Sequence, residues 1–347
     1  MHESYGNVRR LPGRLPKSKA GTDGSGRYMA AIELEGVTKR YGDVTAVRDL
    51  DLTVEEGEVF GFLGPNGAGK STTINMLLDF VRPTSGTVRV LSRDAQAESV
   101  EVRRNTGVLP EGYDVYERLT GRQHVEFAMR SKELDGDPDA MLERVGIADA
   151  AERRAGDYSK GMRQRLVLGM GLVGDPDLLI LDEPSSGLDP AGAKEMREIV
   201  RGEAERGATV FFSSHVLGQV EAVCDRVGIM REGELVAEDS IAGLREAVGG
   251  EAQLVVTVDA ASQNDLSGVR ALDGVSSAHT DGGTVTVSCD SDAKTEVIGA
   301  LEDAGVTVKD FSTEEASLED LFLTYAGEGD RVDTTDDGAA ADTGVAE

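Results

Sequence analysis

Tryptophan is absent, cysteine occurs twice, and lysine is confined to positions 17, 19, 39, 70, 132, 160, 194, 294 and 309 of a 347-residue chain. Each shortage excludes something. Aromatic residues make up 4% against 39% hydrophobic residues in all, so a core of useful size has to be built from Val, Leu, Ile and Ala. Cys224 and Cys289 fall in what read as separate domains, which points to free thiols in a reducing compartment rather than to a disulfide or a metal site. No apolar run approaches the ~18 residues that a membrane span needs, so the chain itself is not expected to enter a bilayer. Arg9-Arg10 are followed by no apolar segment, and no secretion signal is read.

Positive charge is short as well: 36 Lys and Arg stand against 64 Asp and Glu, a formal charge of −28. Such an excess leaves no basic footprint for nucleic acid, and no nucleic-acid partner is expected. Self-repulsion on this scale destabilises a compact chain in dilute buffer. At ~1 M salt the Debye length is only about 3 Å, and most of the repulsion is screened. Few lysines with abundant acids resembles the composition of proteins from salt-loving microbes that keep molar salt in the cytoplasm. A halophilic protein is therefore expected.

What is present is organised around one stretch, Gly64-Pro65-Asn66-Gly67-Ala68-Gly69-Lys70-Ser71-Thr72. An apolar run, Val59 to Leu63, precedes it as a buried strand would, and a helix-compatible run from Thr72 to Phe80 follows. The spacing of Gly64, Gly69, Lys70 and Ser71 fits the phosphate-binding P-loop in its strand–loop–helix setting. Glycines free backbone N–H groups to close on phosphate oxygens, and the helix N-terminus adds positive potential. Lys70 can reach the β- and γ-phosphates, and the Ser71 hydroxyl can ligate Mg²⁺.

Along the chain, residues 1–28 show no hydrophobic period and read as a disordered basic tail, with Met29 as a plausible true start. Half-buried strands are expected at 32–35 and 50–54, and Arg40-Tyr41-Gly42 puts an aromatic ring between them. Further strands are expected at 87–91 and 107–109, the second running into Glu111. Charged-faced helices follow over about 112–165, at 122–132 and 139–145. A helical run at 166–173 comes next, then a buried strand, Leu178 to Leu181, delivering Asp182 and Glu183, and another, Thr209 to Phe212, ending near His215. Strands that end in polar residues beside a P-loop describe a doubly wound α/β domain with its site at the carboxyl edge. Gly249-Gly250 mark a boundary, and beyond them the order strand, helix, strand, strand, helix, strand suggests a small ferredoxin-like domain. A last helix is expected over 317–325, and residues 326–347 read as an acidic disordered tail. The expected domains are thus 29–247 and 251–325, flanked by tails.

Taken together these pieces resemble the ATP-binding subunits of ABC transporters over about residues 31–245. Tyr41, the P-loop, Ser159-Lys160-Gly161-Met162-Arg163-Gln164, Asp182-Glu183, Ser186-Gly187-Leu188-Asp189 and His215 occur in that family's order. The resemblance implies an α/β fold of ABC type, a P-loop NTPase with a helical subdomain, plus a small C-terminal α+β accessory domain. It also implies ATP and Mg²⁺ as cofactors. Tyr41 would stack on adenine, and Gly64 to Thr72 would hold the triphosphate, Gly67, Gly69, Lys70, Ser71 and Thr72 above all. Asp182, Ser71 and Glu111 would serve Mg²⁺, Glu183 would polarise the attacking water, and His215 would contact the γ-phosphate. Ser159 and Gly161 would close on ATP held by another subunit, so a second ATP-binding subunit, identical or paralogous, is implied beside an integral membrane permease. The chain would then sit in the cytoplasm, peripheral on the inner face of the membrane through that permease.

Two residues depart from the usual pattern. Glu111 stands where the loop usually begins with glutamine, and Lys160 where the signature usually has its second residue, glycine. The lysine variant and the trailing Ser317-Leu318-Glu319-Asp320-Leu321-Phe322-Leu323 resemble two-component exporters of the multidrug and daunorubicin-resistance type, which favours export. The alternatives are a soluble ABC ATPase acting on ribosomes or DNA, and a nucleotide kinase or GTPase. The first usually carries two P-loop domains or long coiled-coil insertions, and the signature with His215 opposes the second.

Overall fold

The computed structural model describes residues 29–314, apart from 248–251, 260, 263–264, 282 and 291. The expected tails and the expected helix over 317–325 lie outside the described residues.

The chain opens with a long hairpin, β1 (Ala30–Tyr41) and β2 (Val44–Glu55). Both strands run well beyond the two short ones read from alternation, because bulges between Leu34 and Val37 break the period in the middle of β1. After β3 (Val59–Leu63) and α1 (Lys70–Leu77) come β4 (Ser85–Val90), β5 (Arg93–Asp94), α2 (Ser99–Arg104) and β6 (Thr106–Leu109). The antiparallel sheet β2-β1-β4-β5 is built from this first part of the chain alone.

Three helices follow, α3 (Gly121–Ser131), α4 (Pro138–Arg144) and α5 (Lys160–Leu172). A capping box starts α3, with Gln123 N–H donating to Thr120 Oγ1 and Thr120 N–H to Gln123 Oε1. Arg144 holds this layer to the rest. It donates to Asp175 at 2.6 Å and through Nε to the buried Glu203 at 2.7 Å.

The second half supplies β7 (Leu178–Asp182), α6 (Pro190–Glu205), β8 (Thr209–Ser214), α7 (Leu217–Glu221), β9 (Arg226–Arg231), β10 (Glu234–Ser240) and α8 (Ile241–Ala247). The central sheet has the order β10-β9-β3-β8-β7-β6; all pairs are parallel except β10 with β9. Every residue of β3, β7 and β8 is buried. That is the pattern of parallel strands covered on both faces, and it explains their unbroken apolar runs. One core lies between this sheet and the antiparallel one, where Phe211 sits 6.0 Å from Phe60 and 5.0 Å from Phe62 by ring centroid. A second core joins the opposite face to the three helices.

Beyond residue 251 the chain forms β11 (Ala252–Val258), β12 (Val275–Asp281), β13 (Thr284–Cys289), α9 (Lys294–Asp303) and β14 (Val308–Glu314) in an antiparallel sheet of order β12-β13-β11-β14, over its own core. This is the ferredoxin-like strand order, but the helix expected before β12 is only a 3₁₀ turn, Val269–Ala271. Both cysteines are buried and neither is in a disulfide, and burial pushes the Cys224 thiol up.

A candidate nucleotide site at the carboxyl edge of the sheet

Four neighbouring parallel strands, β3, β8, β7 and β6, end at one edge and bring the polar motifs together. Ala46, Asn66, Gly67, Gly69, Lys70, Ser71, Thr72, Glu111, Asp182 and Glu183 line a cavity of about 280 Å³ there.

The P-loop connects β3 to α1. Gly69, just before the helix, has φ +107, and a Cβ there would come 2.6 Å from the carbonyl oxygen of Ala46. Only glycine fits both the dihedral and the close approach. Buried Lys70 donates to the carbonyls of Gly64 at 2.6 Å and Pro65 at 3.3 Å, and burial lowers its ammonium pKa. A cation held by backbone at the mouth of a helix N-terminus is a phosphate-binding arrangement.

Strand β7 ends on Asp182, whose carboxyl burial raises above the ordinary range; its buried Oδ1 has no hydrogen-bond partner. Glu183 continues the ladder through its N–H to Ser213 O at 3.0 Å, then turns the chain with φ +50. A non-glycine residue in that region is strained, and such strain gathers at functional sites. The Glu183 side chain is 6% exposed, with Oε1 2.8 Å from His215 Nδ1 and 3.9 Å from Lys70 Nζ. The Ser214 hydroxyl donates to Oε2 at 3.4 Å. A carboxylate is thereby aimed between the P-loop lysine and a histidine that stands at the end of β8.

Asp182 with its orphaned oxygen, the Ser71 hydroxyl and the Glu111 carboxylate form a set of hard oxygen donors, which fits Mg²⁺. Among the described residues no cluster of His, Cys, Asp and Glu would hold a metal alone. Mg²⁺ suits such a sparse set, since it takes its other ligands from substrate phosphates and water.

The other expected residues lie apart from the cavity wall. Tyr41 ends β1 at the hairpin turn, 48% exposed, with Lys39 Nζ 4.8 Å from its ring centroid. Ser159 caps α5, accepting from Met162 N–H at 3.2 Å, and Gly161 follows in the first turn. Sequence reasoning missed Ala46, whose methyl group carries no motif signal although it lines the cavity.

The sequence profile of the family described as ABC transporter matches residues 47–186, and that described as ATP-binding protein DrrA1-3-like, C-terminal domain, matches residues 240–326. The chain is 35% identical to the daunorubicin resistance ATP-binding protein DrrA3 of Streptomyces coeruleorubidus, over 87% of its length and 98% of that protein's. It is 31% identical to the linearmycin resistance ATP-binding protein LnrL of Bacillus subtilis, over 85% and 98%. With the bacitracin transport ATP-binding protein BcrA of Bacillus licheniformis it shares 40% identity over 60% of this chain and 69% of that one. A solved structure described as the ATP binding subunit of an ABC transporter superposes with a TM-score of 0.58 at 26% identity, covering 63% of this chain and 93% of that one.

Proposed function

The chain belongs to the ATP-binding proteins of the ABC transporter family, and from that premise we propose that it hydrolyses ATP to drive export through a separately encoded membrane permease. The observation that carries the reading is the convergence of Lys70, Asp182 and Glu183 on one cavity at the carboxyl edge of the parallel strands. In this account the P-loop amides and Lys70 bind the triphosphate, and Glu183 takes up the attacking water and orients it. His215 would contact the γ-phosphate from the end of β8, with its Nδ1 2.8 Å from the Glu183 carboxylate. Ser71, Asp182 and Glu111 would hold Mg²⁺, which when bound neutralises charge developing on the phosphates. Tyr41 would meet the adenine.

Ser159 and Gly161, standing off the cavity wall of their own chain, would serve ATP held by a second subunit, identical or paralogous. No helix among the described residues is long and apolar enough to cross a membrane, so the path for cargo would belong to the partner. The names of the relatives, resistance and transport proteins, support export over a role on ribosomes or DNA. Purification of the full chain from detergent-solubilised membranes in molar KCl should bring a multi-span protein with it and show ATP hydrolysis. Co-purification of ribosomes or DNA without such a partner would overturn the reading.

The charge of −28 supports a salt-dependent fold. Melting followed from about 3 M KCl, where the Debye length is below ~3 Å, down to dilute buffer should show a large fall in Tm. A Tm indifferent to salt would remove the halophilic proposal.

A further inference from the structure

Lys39 lies two residues before Tyr41 on β1, the spacing that puts two side chains on one face of a strand. Its Nζ stands over the Tyr41 ring, 4.8 Å from the centroid, and donates at 2.7 Å to the carbonyl of Arg82. Arg82 belongs to the turn between α1 and β4. The lysine therefore ties the aromatic ring to the segment that leaves the P-loop helix.

The main chain at this place is held without the lysine side chain. Thr84 N–H donates to Thr38 O at 2.7 Å, and Arg40 N–H donates to Thr84 Oγ1 at 3.0 Å. The hairpin ladder runs on to its end, where Tyr41 pairs with Val44. What the backbone leaves loose is the ring. Tyr41 is half exposed, and among the described residues its phenol has no hydrogen-bond partner.

Ion pairing does not account for the lysine. The chain carries 64 Asp and Glu, yet among the described residues no carboxylate forms an ion pair with Lys39. Its ammonium goes to a ring and a carbonyl instead. A cation over one face of an aromatic ring is attracted by the ring quadrupole, and the other face stays open to a flat partner. Bases stack on aromatic side chains through such a face. A ring fixed beforehand has less freedom to lose on binding.

We propose that Lys39 is a positioning residue for the base of the nucleotide: it holds one face of the Tyr41 ring so that the other is presented to adenine. This rests on the reading that Tyr41 meets the adenine. In this arrangement Lys39 acts through the ring and not on the phosphates.

The test uses the full chain in molar KCl, with Lys39→Met, Lys39→Arg, Tyr41→Ala and the double variant Lys39→Met/Tyr41→Ala. Methionine keeps the length of the side chain and removes its charge and donors. Binding of ADP and of inorganic pyrophosphate, which has no base, is measured by titration calorimetry. The KM and kcat for ATP are read as well, with Tm as the control for folding. Lys39→Met is expected to weaken ADP about two- to fivefold, the worth of an exposed cation over a ring. Pyrophosphate binding and Tm should not change, and the loss in turnover should lie in KM rather than in kcat. Lys39→Arg should retain most of the ADP affinity, since a guanidinium can both cover the ring and donate to the Arg82 carbonyl. Tyr41→Ala should weaken ADP about tenfold or more, as the loss of one stacked base does. In that background Lys39→Met should cost nothing further, because its effect passes through the ring. Wild-type ADP affinity in Lys39→Met would overturn the proposal, and so would an arginine no better than methionine or losses that add in the double variant. Equal losses for pyrophosphate would also overturn it, by marking a structural or phosphate-steering lysine. Tyr41→Ala that binds ADP like the wild type would instead remove the adenine reading beneath it.

Discussion

Replacing Glu183 by glutamine is expected to slow ATP hydrolysis by about 10²–10⁴-fold, the usual contribution of a positioned general base, while ATP stays bound. Glutamine keeps the length and the oxygen that faces His215 Nδ1 at 2.8 Å, so the turn after β7 has no steric reason to move. What goes is the negative charge that can draw a proton from water. The strained backbone, with φ +50, is equally strained for either residue and cancels from the comparison. Lys70, 3.9 Å away, loses an opposing charge but keeps its bonds to the Gly64 and Pro65 carbonyls, so phosphate binding should persist or tighten. If the signature closes on bound ATP, blocked hydrolysis leaves the dimer shut. Size-exclusion chromatography with ATP should show a long-lived dimer in the variant and a transient one in the wild type. Near-normal turnover would remove Glu183 from the role, whatever the dimer does.

The legibility of this site in the sequence follows burial. Strands β3, β7 and β8 are covered on both faces, so each appears as an unbroken apolar run, and the polar residue ending it stands out. The elements that the sequence hid have mixed faces. Strand β10 alternates half-buried with exposed residues, several of them acidic, and β1 loses its period at a bulge. Helix α6 buries Ala193, Met196 and Val200, with Glu203, and packs Ile199 and Ala204 partly against the same core, and its charged face masks that stripe. Motif order found the residues that a strand end delivers. It could not find Ala46, which lines the cavity because a neighbouring strand passes the P-loop at backbone distance. Lys160 was visible as a departure, but its contact with Gly187 depends on how two loops meet and leaves no trace in local pattern.

Two inactive variants are expected to restore each other in part when mixed. Lys70→Ala removes the ammonium from the phosphate cavity, and Gly161→Asp sets bulk and negative charge on the face that would meet the γ-phosphate. The second change should not harm the fold. A Cβ at Gly161 meets nothing closer than Leu188 Cδ2 at 3.4 Å, and an acid in the first turn of α5 suits the helix dipole. Each variant alone should neither close on ATP nor hydrolyse it. If every site were built within one chain, a mixed dimer would hold two broken sites and stay inert. If sites are shared, one site of the mixed dimer collects both defects, and the other pairs an intact P-loop with an intact signature. A random mixture of equal parts forms about half mixed dimers by simple statistics, and binding isotherms then report closure as a coupling between chains. ATP-induced dimerisation should therefore return in the mixture, with hydrolysis returning as far as a single site turns over. Closure is the decisive reading, because strict alternation between sites could silence a lone intact one without preventing it from closing. A mixture that shows neither closure nor turnover, beside a wild type that shows both, would remove the shared site and with it the reason for Ser159 and Gly161 to stand away from the cavity of their own chain.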